Sequence, residues 1–176
     1  TQVRKRVTAL AKTIAVDDPG RGLVVVGVLN GAVVFLADLL RALPQDVRLG
    51  FVRVSSYGTS AESSGAPVIQ IPNDLPLAGE DVLIVEDILD TGLSMTLLCE
   101  AIQARSPNSL RICVLIDKRQ RRLHTVKPDY VGFELSSGFV VGYGMDYAER
   151  YRSLPDIFTL DIWNHEGEGD DARDLD

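Results

Sequence analysis

Three carboxylates and two hydroxyls crowd one short stretch of this 176-residue chain, Val82–Met95, VLIVEDILDTGLSM. An aliphatic run leads straight into Glu86 and Asp87, then two apolar residues, then Asp90 and Thr91-Gly92-Leu93-Ser94. The order predicted is strand, tight turn, helix. The first N–H groups of a helix have no intrahelical acceptor, and the helix dipole adds positive potential there, so such a turn suits a phosphate. Gly92 lets the backbone close around the anion, and the hydroxyls of Thr91 and Ser94 add donors. No GxxxxGK[ST] is present, so this is not a Walker A loop. Three acids beside an anion repel it and one another unless a divalent metal or polyhydroxyl donors such as ribose offset them. Helix capping alone explains an isolated DTG, but neither Glu86-Asp87 nor the buried strand before them.

The rest of the chain must deliver that turn. Val3, Val7, Leu10 and Ile14 recur at helical spacing and predict a first amphipathic helix, ended by Asp17, Asp18, Pro19 and Gly20. Leu23–Leu29, LVVVGVL, predicts a strand buried on both faces. After Asn30-Gly31, AVVFLADLLRAL predicts a helix stopped by Pro44. Val47–Ser55 and the short Val68–Ile71 are expected strands, with a mobile loop, YGTSAESSGAP, at 57–67 between them. Val82–Glu86, Leu110–Ile116 and Tyr130–Leu135 are further strands, and Ser94–Arg105 is a helix. Residues 138–160 are expected to be strand pieces and loops that close the domain. Apolar strands alternating with helices imply an α/β domain with a mainly parallel sheet. Ligands of such sheets bind beyond the carboxyl ends of the strands. That places the chemistry at Asn30-Gly31, at Glu86–Ser94 and near Lys118.

Composition narrows the class. Apolar residues make up 45% and charged residues 24%, the balance of a soluble globular protein of one domain. A net charge of −7 argues against non-specific nucleic-acid binding. Much of that charge is local: residues 166–176 hold six carboxylates against Arg173, and the body is nearly neutral. This acidic tail is expected to be disordered. No apolar run reaches the ~20 residues needed to cross a bilayer, and the N-terminal TQVRKRVTALAKTIA lacks a signal-peptide core. Cys99 and Cys113 sit singly among apolar neighbours and read as reduced core thiols of a cytoplasmic protein. His124 and His165, the two histidines, belong to no motif and read as surface residues.

VLIVEDILDTG resembles the phosphoribosyl-pyrophosphate (PRPP) binding motif of type I phosphoribosyltransferases. VGVLNGAVVFLADLLR, VRVSSYG, DKRQRR and KPDYVGFELSSGFVVGYGMDYAERYRSLPDI look like the hypoxanthine(-guanine) branch of that family, in register from about Leu23 to Leu160. The resemblance implies a Rossmann-like fold: a mainly parallel sheet flanked by helices (about 20–135), and a small hood from the C-terminal part (about 136–165). Residues 1–165 would form the transferase domain. It further implies Mg²⁺, a homodimer or homotetramer, and no nucleic-acid or membrane partner.

The family's roles fall on particular residues here. Glu86 and Asp87 would lie by the ribose hydroxyls and the metal, and Asp90 would be general base or acid toward N7 of the purine. Asp90, Thr91, Gly92, Leu93 and Ser94 would hold the 5′-phosphate. Leu29, Asn30 and Gly31 would bind pyrophosphate through backbone amides, at a non-proline cis bond between Leu29 and Asn30, with Arg152 as a further contact. Lys118 would hydrogen-bond the purine 6-oxo group, which accepts where the 6-amino group of adenine donates. Phe139 would stack on the base, Val140 would contact its 2-position by its carbonyl, and Met145 would line the far side. Asp146 would be a third metal ligand. Ser56 and Tyr57 would begin a lid that excludes water. Without the family, DKRQRR reads as a solvated charge run and Phe139 as core. Asn30 stands where the family usually has a basic residue, and Leu93 where mammalian relatives have Lys.

Two other functions fit the same fold. One is a xanthine- or guanine-preferring transferase. The other is a regulatory protein that senses PRPP, which the acidic charge and the joint presence of Asp90, Lys118 and Asp146 disfavour.

Overall fold

Alternate residues of the central strands point to opposite faces, and each face carries its own core. In the computed structural model, residues 1–18, 22–44, 46–55, 67–136 and 138–160 are described. The elements run α1 (Gln2–Asp17), β1 (Val24–Leu29), α2 (Val33–Ala42), β2 (Arg48–Ser55), β3 (Val68–Gln70), β4 (Asp81–Leu89), α3 (Leu93–Gln103), β5 (Ser109–Asp117), β6 (Tyr130–Glu134), β7 (Phe139–Val141) and β8 (Phe158–Leu160). Six strands form one sheet in the order β3-β2-β1-β4-β5-β6. All its pairings are parallel except β2 with β3. The short β7 and β8 pair antiparallel as a separate ribbon, the hood that the resemblance implies.

Val25, Leu83, Val85, Cys113 and Leu115 face α1 and α2 and pack on Val7, Leu10, Ile14, Phe35 and Leu39. Val24, Val26, Val28, Val82, Ile84 and Val114 face the other way, onto Met95, Leu98 and Ile102 of α3. The period of two along each strand makes both faces apolar, as a sheet covered on both sides requires. Burial of the largest of these side chains stabilises by roughly 1.5–3 kcal/mol each. Gly27 permits the close packing of α2 on β1, since a β-carbon there would meet Leu36 Cδ2 at 2.4 Å.

This arrangement positions the site. β1 and β4 are neighbours, yet the helix after β1 lies on one face and the helix after β4 on the other. The chain ends leaving the two strands therefore diverge and open a crevice at their carboxyl ends. Among the described residues, no helix is long and apolar enough to cross a membrane.

Two boundaries differ from the sequence reading by more than one residue. β4 continues past Glu86 to Leu89, because Glu86, Ile88 and Leu89 stay paired with Val114, Ile116 and Asp117 of β5. Asp87 thus joins Glu86 on the strand, three residues longer than expected at this end. α3 ends at Gln103, two residues before the expected end. The expected lid residues Ser56 and Tyr57, most of the loop at 57–67, His165 and the acidic tail lie outside the described residues.

Candidate active site

The turn after β4 has the form that its sequence predicts. Gly92 is the N-cap of α3 at φ +90°, a left-handed conformation suited to glycine, and no side chain caps it. The N–H groups of the first helical turn, from Leu93 and Ser94 onward, therefore lack a capping acceptor and face the end of the strand. Space also excludes a side chain at 92: a β-carbon would stand 2.9 Å from Arg122 Cδ and 3.2 Å from the His124 carbonyl oxygen. The Thr91 carbonyl accepts from the amides of Leu123 and His124, at 2.9 and 3.0 Å. His124 is thus half-buried with its backbone in the wall of the turn, a correction to its reading as a surface residue. Apolar periodicity carries no information about such backbone bonding.

Asp90 stands at the head of this turn. Arg121 Nε lies 3.0 Å from its Oδ1. The alignment makes no hydrogen bond, so Oδ1 is an enclosed acceptor without a donor among the described residues.

Glu86 and Asp87 are adjacent on β4, and the Asp87 amide donates to Glu86 Oε1 at 3.1 Å. Burial, and then the negative charge of Asp87, push the Glu86 carboxyl well above the ordinary carboxylate range. On the neighbouring strand end, the peptide bond between Leu29 and Asn30 is cis, as the resemblance implies. Gly31 follows it against Asp87. The hood rests on the same loop: a β-carbon at Gly144 (φ +100°) would meet the Gly31 carbonyl oxygen at 2.4 Å.

At the end of β5, Lys118 is only 4% exposed. Its amide donates to the Leu89 carbonyl at 3.0 Å. Its ammonium donates to the Gly138 carbonyl at 3.0 Å and lies 5.8 Å from the centre of the Phe139 ring. Phe139 is 37% exposed, so its ring is open to a ligand, whereas Val140 and Met145 are buried. Tyr147 meets Phe139 edge-on, with ring centres 5.2 Å apart. Sequence reasoning missed Tyr147, and no spacing rule would have singled it out.

Asp146 and Arg152, expected as metal ligand and pyrophosphate contact, pair with each other at 2.7 Å. The amide of Glu149 also donates to Asp146, at 2.8 Å. Among the described residues, no three His, Cys, Asp or Glu side chains form a ready metal cluster. The donors at hand are nevertheless all carboxylate oxygens, and the Glu86–Asp87 repulsion is relieved by a cation. A hard divalent ion that takes one or two carboxylates and completes its shell from substrate phosphates and water fits this set.

DKRQRR is not a solvated run. Lys118 and Arg122 are largely buried, and Arg119 and Arg121 are exposed but paired with carboxylates. A one-turn 3₁₀ helix, Arg119–Arg121, turns these side chains back toward the strand ends. Cys99 and Cys113 are free thiols, and burial raises the former to about 11.

Comparison with known proteins points the same way. Residues 1–148 match the family described as phosphoribosyl transferase domain. The chain is 44% identical over 166 residues to a hypoxanthine-guanine phosphoribosyltransferase of Mycobacterium avium, covering 91% of this chain and 82% of that one. It is 42% identical over 159 residues to the hypoxanthine-guanine phosphoribosyltransferase of Bacillus subtilis, covering 90% and 88%. Its fold is similar to the crystal structure of a hypoxanthine-guanine phosphoribosyltransferase from Bacillus anthracis, with a TM-score of 0.84, 40% identity and coverage of 90% and 94%. A ternary substrates complex of hypoxanthine phosphoribosyltransferase from Trypanosoma cruzi gives 0.83, with 41% identity and 90% of each chain covered.

Proposed function

The chain belongs to the phosphoribosyltransferase family, among its hypoxanthine-guanine members, and we propose that it transfers the 5-phosphoribosyl group of PRPP to hypoxanthine and guanine in purine salvage. The products are the nucleoside 5′-monophosphates and pyrophosphate. One juxtaposition carries the reading. A carboxylate oxygen that faces Arg121 but has no hydrogen-bond donor among the described residues (Asp90 Oδ1), a buried ammonium (Lys118) and an open aromatic face (Phe139) meet where β4 and β5 end.

The chemistry follows from that arrangement. The C1–O bond to pyrophosphate breaks, the bond from C1 to the purine N9 forms, and the proton at N7 passes to Asp90. Positive charge develops on the ribosyl ring as pyrophosphate leaves, and the carboxylates of Asp90, Glu86 and Asp87 supply negative potential beside it. The amides of Thr91–Ser94 hold the 5′-phosphate, and those of Asn30 and Gly31, with Arg152, hold pyrophosphate. Lys118 donates to the 6-oxo group, Phe139 stacks on the base, the Val140 carbonyl meets its 2-position, and Met145 backs it. A divalent cation, magnesium in our reading, would when bound neutralise charge on the pyrophosphate and make it a better leaving group. Glu86 and Asp87, with Asp146, are the residues that would hold it.

Ser56 and Tyr57 are proposed as the start of a lid. Residues 1–165 are proposed as one catalytic unit, cytoplasmic and assembled as a homodimer or homotetramer. Assay of the purified protein with PRPP, magnesium and each of hypoxanthine, guanine and xanthine tests the function. Nucleotide formation from the first two is expected; absence of product from all three, or preference for xanthine, overturns it.

A further inference from the structure

Arg122 is given no contact with substrate itself, yet it binds more of the site's framework than any other side chain described above. Its Nε donates to the Asp90 carbonyl at 3.0 Å and its Nη2 to the Leu89 carbonyl at 3.3 Å. Nη2 also pairs with the Asp117 carboxylate, and Nη1 donates to the Val126 carbonyl. Its Cδ packs where a side chain at position 92 would otherwise stand. The Arg122 side chain is 15% exposed and that of Asp117 is 1%.

These acceptors come from both halves of the site. Leu89 and Asp90 carry the sugar-phosphate turn, and Asp117 immediately precedes the base-side Lys118. The loop just beyond Arg122 is fastened too, through Leu123 and His124 to the Thr91 carbonyl. Asp117 receives a second arginine, Arg119, at 3.0 Å, so its buried charge is answered from both sides.

We propose that Arg122 is a positioning residue that fixes the backbone of Asp90 and the phosphate turn against the lysine-bearing end of β5. The guanidinium offers five donors in a flat fork, which is what four acceptors spread over three segments require. A lysine carries the same charge but cannot span them. The proposal rests on the functional reading for its kinetic consequence, but not for its mechanical one.

The test uses Arg122→Lys, which keeps a cation beside Asp117. Steady-state kinetics are read with PRPP and hypoxanthine varied in turn, and amide hydrogen exchange is read without ligand. The expected result is a loss of about 100-fold in kcat/KM for PRPP, because the turn is misplaced by a fraction of an ångström to one ångström. The KM for hypoxanthine should stay within about threefold of the parent value. Amides of residues 90–95 should exchange faster, with those of β6 unchanged. Parent-like PRPP kinetics, or unchanged exchange at 90–95, overturns the proposal. A uniform loss of folded protein, with normal kinetics per folded molecule, assigns Arg122 a purely structural role and also overturns it. If the parent enzyme forms no nucleotide, the functional reading falls, and the exchange arm alone still decides whether Arg122 fixes the turn.

Discussion

The Asp87 carboxylate lies so close to Gly31 that a β-carbon at position 31 would stand 1.9 Å from Asp87 Oδ2. Glycine is required there by approach, not by backbone angle. Gly31→Ala must displace either the acid or the loop after β1. The expected outcome is a loss of roughly 1–3 kcal/mol of stability, the usual cost of overpacking. Pyrophosphate affinity should fall as well. Thermal melting and inhibition by pyrophosphate check the two effects separately.

Asp90→Asn keeps the shape of the turn and removes the proton acceptor. Turnover with hypoxanthine should fall by about 10²–10⁴-fold, the range of general acid–base catalysis. PRPP affinity, measured by calorimetry, should change little. Equal losses in both quantities would show that Asp90 serves binding instead of proton transfer.

Lys118→Met removes the proposed donor to the 6-oxo group and keeps the volume of the aliphatic stem. Discrimination of hypoxanthine against adenine should drop by at least about tenfold, the value of one charged hydrogen bond. Competition between the two bases at saturating PRPP measures it. Unchanged discrimination would leave Lys118 a packing residue that braces Gly138.

Glu86→Gln separates stability from function. Its carboxyl is held well above the ordinary range by burial and by Asp87. Replacing it with an amide relieves the repulsion, so Tm in the absence of ligand should rise by about 2–4 °C. PRPP turnover should fall, because a proposed ribose and metal ligand is lost. A fall in both would contradict the strain that we assign to the pair.

Tyr143 joins the hood to α2 by donating to Asp38 at 2.6 Å. Burial acts to raise the Asp38 carboxyl. The hydrogen bonds from Tyr143 and Arg41, with the charges of Arg41 and Arg4, outweigh it and hold the group below its ordinary 3.8. A group depressed in the folded state adds stability above its unfolded value, and loses it as pH falls through the folded one. Tyr143→Phe should therefore lower Tm at pH 7 and flatten the acid-induced fall below 3.8. At still lower pH the two proteins should converge. Melting curves between about pH 2 and 7 check the sign.

Much of this architecture was legible before any coordinates. The runs at Leu23–Leu29 and Val82–Glu86 could only be strands covered on both faces, and the Asp90–Ser94 turn had to open a helix. What escaped was whatever depends on pairing across the sheet. β4 runs on past Glu86 to Leu89 because Ile116 and Asp117 continue beside it, a constraint absent from its own residues. The roles of Arg119, Arg121 and Arg122 were hidden for a similar reason. Four basic residues in six look solvated until the short helix after Lys118 folds them back onto Asp90, Asp117 and Glu134. Tyr147 became visible only through the edge it presents to Phe139.

The hood is a ribbon of two three-residue strands that shares the core of the body through Val140, Tyr143 and Met145 and also meets it at Gly144 over Gly31 and Tyr143 on Asp38. The turn proposed to grip the 5′-phosphate belongs to the body, whereas the proposed stacking ring belongs to the ribbon, and Asp146 and Arg152 lie between its two strands. Detaching the ribbon by heat or a protease would consequently leave a site that still holds the 5′-phosphate but has a weakened grip on pyrophosphate and no means of accepting a nucleobase.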